Sequence, residues 1–296
     1  MPQASFDARL AALAAQLAPA PDKPEETPES TLRALWLLAA GKPASAALAM
    51  ETDLPALDDG AAGRLDDLVA VRLGGTPLAY LSGRQRFMGL EFLVEPGALI
   101  PRVETELLAN VALAFLRAVA DPDGRRCLDI GTGSGNLAVT MAALCPGARV
   151  LASDVSEDAA RIARANVASL GVSDRVSVTV GDLFGPFESE EHFGRYPLVL
   201  CNPPYVSSTQ VAQMPAEISG FEPAAAFDGG FGGMGVLRRL LRDTPRFLAP
   251  GGRLMFEVGA GQGEALLKNM AAGGTYRIVE GLQDERGIVR AIVAGC

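Results

Sequence analysis

Cys127-Leu128-Asp129-Ile130-Gly131-Thr132-Gly133-Ser134-Gly135 is the stretch on which the fold turns. An apolar run ends in an acid, and three glycines at every second position lead into the helical pattern Gly135 to Leu144. Glycines let a backbone turn tightly and approach a ligand closely. Outward from this turn the chain alternates. Strands are expected at Arg149–Ser153, Val176–Val180, Pro197–Cys201 and Arg253–Val258, and helices at Ser156–Leu170, Met234–Leu248 and Gly263–Ala272. Tyr276–Glu280 and Ile288–Ala294 close the chain as two strands. Such alternation specifies an α/β fold with a mainly parallel sheet wrapped by helices. The short connection between the last two strands predicts an antiparallel edge.

Ahead of this region lies a helical segment. Leu10, Leu13 and Leu17 recur at helical spacing over residues 4–18, and a Pro/Glu-rich break follows from Pro19 to Pro28. Thr31–Ala40, Ala44–Met50 and Asp59–Leu73 read as helices. This predicts a helical domain over residues 1–76, of a size that can just hold a core. Residues 77–102 read as a β-hairpin around Gly89 with a linker, and residues 103–296 as the α/β domain, which opens with a helix running to Ala120.

The chain has 296 residues, 49% of them hydrophobic, and a formal charge of −9. The composition is globular. The acidic balance argues against a stable nucleic-acid complex, because such binding draws on Lys and Arg contacts to phosphate. Four cysteines, none in a Cys-x-x-Cys pair, and one histidine argue against a metal site. Cys127 and Cys201 fall in apolar runs and are expected as buried thiols. No apolar stretch is long enough to span a membrane, and no leader is visible, so a cytoplasmic setting is expected; the chain is also expected to act as a monomer.

Gly-x-Gly-x-Gly is neither the dinucleotide fingerprint nor a P-loop. Two acids sharpen its reading. Asp154 ends the second strand of the α/β region about 20 residues past the loop, where a carboxylate takes ribose hydroxyls. Asp182 follows the third, where it can accept from an adenine amino group with Leu183 and Phe184 beside the ring. Together they point to an adenosine cofactor without a pyrophosphate, which suits S-adenosylmethionine better than a nicotinamide. The expected cofactor-binding set is Asp129, Gly131, Thr132, Gly133, Ser134, Gly135, Asp154, Val155, Asp182, Leu183 and Asn202.

Asn202-Pro203-Pro204-Tyr205 follows a strand. Proline fixes φ and holds the preceding residue extended. The tetrapeptide thus offers an amide oxygen, a backbone carbonyl and an aromatic face to one small planar NH2 group. His192 sits in a polar stretch and reads as a solvated loop residue. Phe87, Phe92 and Phe115 read as core.

The chain resembles the class I S-adenosylmethionine-dependent methyltransferases. More narrowly, it is similar to the HemK/PrmC family of protein N5-glutamine methyltransferases, from about Pro77 onward. The resemblance rests on Asn202-Pro203-Pro204-Tyr205, Pro77-Leu78-Ala79-Tyr80-Leu81, Phe87-Met88-Gly89-Leu90-Glu91-Phe92, Ile100-Pro101-Arg102-Val103-Glu104-Thr105-Glu106 and Glu222-Pro223-Ala224-Ala225-Ala226-Phe227-Asp228-Gly229-Gly230. Val103 stands where the family has proline, and Gln283–Gly287 follows the family ending only loosely.

The resemblance implies a Rossmann-like seven-stranded sheet behind a small helical substrate-recognition domain. It also implies methyl transfer to a glutamine amide in the Gly-Gly-Gln motif of a peptide-chain release factor, a step tied to translation termination. Asn202 and Pro203 would hold that amide, with Tyr205 beside it. Arg102, Glu104, Thr105 and Pro204 are expected to bind the peptide, the alternative for the first three being a salt bridge and helix cap at the inter-domain joint, and Glu222 to organise a lid-like loop after Tyr205. No strong general base is visible, and none is needed if the proton leaves after transfer. The alternatives are an adenine N6 or guanine N2 methyltransferase, a ribosomal-protein glutamine methyltransferase, and a non-catalytic module that keeps the cofactor fold.

Overall fold

The computed structural model describes residues 2–17, 22–121, 124–214 and 216–296. It divides into two compact units. The first comprises Met1–Pro96, Ile100–Val103 and Pro215–Glu222, and the second Gly97–Leu99, Glu104–Met214 and Pro223–Cys296.

In the first unit, helices α1 (Pro2–Ala14), α2 (Pro28–Ala39), α3 (Ala46–Glu51), α4 (Asp59–Leu73) and α5 (Leu78–Ser82) precede the hairpin β1 (Arg84–Phe87) and β2 (Leu90–Leu93). Local chemistry sets the helix starts. Thr27 and Ser30 form a capping box on α2, with Pro28 in the first turn, where its missing N–H costs nothing. Ser45 caps α3 and Asp58 caps α4. Leu13, Leu32, Leu35, Leu37 and Leu65 build the core, with Leu10 and Leu17 packed against it. Part of the break expected after Pro19 lies outside the described residues. The hairpin turns at Met88 and Gly89, with φ of 50° and 77°. This left-handed pair matches the twist of the strands. Phe87 and Phe92 meet edge to face inside. Helix α5 was not expected; five residues are too few to show a helical period.

A buried charge network lies in this unit. Arg72 contacts Glu26 and Glu217, each at 3.2 Å, and Lys23 contacts Glu217 at 2.9 Å. Glu222 accepts from the Ile100 N–H at 3.0 Å and pairs with Arg102. Burial pushes the Glu26 carboxyl up to about 7, against the opposing pull of Lys23 and Arg72. A carboxyl raised from 4.5 to about 7 by folding holds its proton better in the native state. Its stabilising contribution is therefore full below the unfolded value and is lost as pH rises through the folded one, by at most about 1.4 kcal/mol per pH unit. Denaturant midpoints should show the wild type losing stability relative to Glu26→Gln across that window. Parallel pH profiles of the two proteins would contradict this.

The second unit is a seven-stranded sheet. Its strands are β3 (Arg126–Ile130), β4 (Arg149–Asp154), β5 (Val176–Val180), β6 (Tyr196–Cys201), β7 (Leu248–Glu257), β8 (Ile278–Gln283) and β9 (Val289–Gly295), in the order β5-β4-β3-β6-β7-β9-β8. The pairs from β5 to β7 are parallel; β9 runs antiparallel to both β7 and β8. Helices α6 (Thr105–Arg117), α7 (Asn136–Leu144), α8 (Glu157–Ser169), α9 (Gly235–Asp243) and α10 (Gly263–Gly273) belong to it. Leu128, Ile130, Val199 and Cys201 share a core with Leu237 and Leu240 of α9 and Leu266 and Met270 of α10. On the other face, Asp129 accepts from the Ala138 N–H of α7, and α7 packs on α6 and α8. The apolar strands expected from sequence are thus covered on both sides, as a parallel sheet requires.

The helix expected to run to Leu248 stops at Asp243, and a 3-10 turn spans Thr244–Arg246. Pro245 lacks an N–H and its ring crowds the carbonyl four residues back. That carbonyl, on Leu241, accepts instead from the Tyr276 hydroxyl at 2.7 Å. Cys127, Cys145 and Cys201 are buried free thiols. Among the described residues, no helix is long and apolar enough to cross a membrane.

Candidate active site

The strand order reverses between β3 and β6, and ligands of open α/β sheets bind at such a point, beyond the carboxyl ends of the strands. The Gly131–Gly135 turn leaves β3 there. It lies between the end of β4, which carries Asp154, and the end of β6, which leads to Asn202.

Gly131, Gly133 and Gly135 all have positive φ, at 73°, 56° and 82°. Among the described residues, chain neighbours aside, a Cβ at Gly131 or Gly133 would meet no atom within 4 Å, so the turn offers bare backbone to open space. Gly135 serves packing instead: a Cβ there would press on Ala163 of α8 at 3.1 Å. The N–H groups of Gly131 and Thr132 both donate to the Ser153 carbonyl, at 2.8 and 2.9 Å. Asn166 donates to the Ser134 carbonyl at 2.9 Å, and the Thr132 and Ser134 side chains are buried.

Asp129 is 1% exposed. Its Oδ2 accepts from the Thr132 hydroxyl at 2.6 Å and the Ala138 N–H at 3.0 Å, while its Oδ1 is buried with no partner among the described residues. Burial pushes its carboxyl up to about 6. Asp154 accepts from the Gly133 N–H at 2.8 Å and the Ser156 N–H at 2.9 Å, one on each oxygen. Burial raises its pKa, and these backbone donors oppose the rise. The Val155 N–H acts on the same carboxylate, which still keeps acceptor capacity for a hydroxyl. Val155 beside it is exposed. A glycine turn open to approach, an orphaned buried carboxylate oxygen and an Asp154 fixed by backbone donors fit the adenosine and amino-acid parts of S-adenosylmethionine.

Asp182 and Leu183 follow β5, and Leu183 is held with φ of 49° while its carbonyl accepts from the Ser153 hydroxyl at 2.7 Å. Asp182 pairs with Arg239 of α9 at 2.6 Å, near the surface. The Phe184 ring is buried and stacked on Phe247 at 4.4 Å, and the residue lines a cavity with Asp182 and Leu183. His192 lies in a turn, as expected, but is half-buried. Its Nδ1 meets the Tyr196 hydroxyl at 2.5 Å, and Phe187 packs edge-on against its ring.

Asn202 leaves β6 with its side-chain nitrogen 3.2 Å from the Thr105 hydroxyl. Thr105 in turn donates to Glu257 at 2.6 Å, and the Tyr205 hydroxyl donates to the same carboxylate at 3.1 Å. Pro203 is buried and Pro204 half-buried. The Tyr205 carbonyl accepts from Gln262 at 2.9 Å. The Glu222–Gly230 stretch leads onto the same motif, since Val206 and Asp228 form a bridge and the Gly229 N–H donates to Val206 at 2.8 Å. Between them the chain forms one-turn helices at Ser208–Val211 and Ala216–Ser219.

The structure therefore joins Asn202, Tyr205 and Thr105, and separately Asp129 with Thr132 and Asp154 with Gly133. Glu104 precedes α6 without making a side-chain cap bond. Arg102 belongs to the first unit, where it pairs with Glu222 and lies 3.6 Å from Asp22. Glu257, Gln262 and Arg239 were not anticipated. Glu257 carried a readable signal, an acid ending an apolar strand, which is the same signal that marked Asp129 and Asp154.

Residues 108–218 match the methyltransferase small domain family. The chain is 40% identical over 217 residues to the release factor glutamine methyltransferase of Gloeobacter violaceus, covering 73% of each. It is 37% identical over 235 residues to that of Moorella thermoacetica, covering 79% of this chain and 80% of the other. For the Bordetella pertussis protein of the same name the identity is 38% over 223 residues, covering 75% and 79%. The human METTL16 catalytic domain, solved in complex with an RNA hairpin, superposes with a TM-score of 0.55 at 20% identity, covering 77% of this chain and 82% of that one. The human METTL16 N-terminal domain in complex with SAH gives 0.51 at 22% identity, covering 78% and 83%. At such identities these neighbours speak for the fold. Fold and site together define an S-adenosylmethionine-dependent class I methyltransferase, an enzyme. Within that class, the chain belongs to the release factor glutamine methyltransferase family.

Proposed function

We propose that this enzyme methylates the side-chain amide nitrogen of a glutamine in a peptide-chain release factor, in its Gly-Gly-Gln motif. The observation that carries the reading is the Asn202 carboxamide, tethered by its nitrogen to Thr105 at the end of β6, next to the glycine turn. A tether through nitrogen leaves the Asn202 oxygen as the acceptor.

An amide nitrogen is a weak nucleophile because its lone pair is delocalised. The Asn202 oxygen and the Pro203 carbonyl would accept from the two N–H bonds of the glutamine NH2. That orients the nitrogen and favours positive charge growing on it. Tyr205 would present its ring face to the same charge. Pro204 shapes the wall. Bound S-adenosylmethionine supplies an electrophilic methyl on its sulfonium sulfur. Asp154 would hold its ribose hydroxyls, Asp182 its adenine amino group with Leu183 and Val155 beside it, and Asp129 with Gly131–Gly135 the remainder. Arg102 and Glu104 would contact residues flanking the glutamine, and Thr105, being buried, would act through Asn202. The first unit, built largely from the helical segment, would dock the release factor, with the enzyme acting as a cytoplasmic monomer.

The test is transfer of labelled methyl groups with release factor, ribosomal proteins, DNA and RNA offered side by side. Label should enter the release factor. Label in nucleic acid beside an unmodified release factor would favour a base amino group, and label in a ribosomal protein the sister reaction.

A further inference from the structure

Glu257 ends β7, 4% exposed, with both carboxylate oxygens engaged by residues of the acceptor pocket. An ionised carboxylate accepts and cannot donate. The Thr105 proton is therefore committed to Glu257 Oε2, and the Thr105 oxygen has only lone pairs left for Asn202. Asn202 can meet them only with its NH2. The two ends of a carboxamide are almost the same size, so sterics alone would not select between its two orientations. The choice is made two residues away, by a buried charge. The Tyr205 proton is likewise committed, to Glu257 Oε1, which fixes its ring.

We propose that Glu257 is a positioning residue that, through Thr105, sets the orientation of the Asn202 amide so that its oxygen faces the acceptor. This rests on the reading of Asn202 as the holder of an acceptor NH2. A reversed Asn202 would present NH2 to NH2 and lose the hydrogen bond that aligns the nucleophile.

The relay requires an ionised Glu257. Burial raises its pKa, Thr105, Tyr205 and the Arg290 guanidinium on β9 oppose the rise, and Glu104 ahead of α6 adds to it. The Cys201 thiol at the end of β6 also feels this charge. A protonated Glu257 can itself donate to Thr105, which frees the hydroxyl to turn and Asn202 to reverse. Activity should thus be present above the raised pKa and fall as pH drops through it.

The experiment is single-turnover and steady-state transfer to release factor, with cofactor affinity measured by calorimetry. Glu257→Gln should lower kcat about 10- to 100-fold, no more than outright loss of a group that acts on the transition state costs, with little change in cofactor Kd. It should also lose the acidic limb of the pH profile. Thr105→Ser, which keeps the hydroxyl, should stay near wild type, and Thr105→Val should fall with Glu257→Gln. Measured on the residual single-turnover rate, adding Glu257→Gln to Asn202→Ala should cost less than it costs the wild type, the remainder passing through Tyr205. A full-rate Glu257→Gln enzyme, a Thr105→Ser enzyme as impaired as Thr105→Val, or a Glu257→Gln loss that persists in full without Asn202 would overturn the proposal. Should the wild type methylate a different acceptor, the glutamine reading fails, and the same comparison made on that acceptor still decides the role of Glu257.

Discussion

Asn202→Ala abolishes methyl transfer and leaves S-adenosylmethionine affinity nearly unchanged: that is the largest separation of effects the site predicts. The residue stands at the end of β6, while Asp129 and Asp154, the acids fitted to the cofactor, stand on β3 and β4. Alanine removes the acceptor oxygen and releases the Thr105 hydroxyl, but touches neither the glycine turn nor its anchors. Losing one group that acts on the transition state costs on the order of 100-fold or more in rate. Calorimetry and single-turnover rates on the same preparation separate the two effects. A variant that turns over normally, or whose main loss is cofactor affinity, would refute the role given to Asn202.

Asp154→Ala should have the opposite signature. A ribose contributes two hydroxyls, and a hydrogen bond to a charged acceptor is worth about 1.5–3 kcal/mol. Each lost bond should therefore weaken cofactor binding about 10- to 100-fold. The carboxylate also holds the Gly133 and Ser156 N–H groups, so part of the loss would come from a loosened turn. Asp154→Asn keeps one oxygen and divides the two contributions, since it removes the charge with a smaller disturbance of the backbone. Undiminished affinity in the alanine variant would sink the assignment.

The β3 glycine turn and the acids ending β3 and β4 were legible because each is a local pattern: apolar run, acid, glycine. The same locality made the helix start at Asp59 and the hairpin at Gly89 readable. What stayed hidden was decided by distant residues. Thr105 and Glu257 are far apart in the chain, and nothing local says that one hydroxyl and one acid share a hydrogen bond around Asn202. Phe184 lay beside an acid marked for the cofactor, and only the tertiary stack on Phe247 draws it into the core. The polar sequence neighbours of His192 point to solvent, whereas Tyr196 and Phe187, reached only through the fold, supply its packing. The participation of Pro215–Glu222 in the first unit is equally non-local, resting in part on Glu217 with Lys23 and Arg72 and on Glu222 with Arg102.

The central claim is that the acceptor is a glutamine side chain of a release factor. Peptide mass spectrometry of release factor incubated with enzyme and S-adenosylmethionine tests it most directly. The account predicts one added methyl, on the glutamine of the Gly-Gly-Gln motif and on its side-chain nitrogen, and none when Asn202→Ala replaces the wild type. A release factor that stays unmodified while RNA or DNA in the same reaction gains the methyl would contradict it.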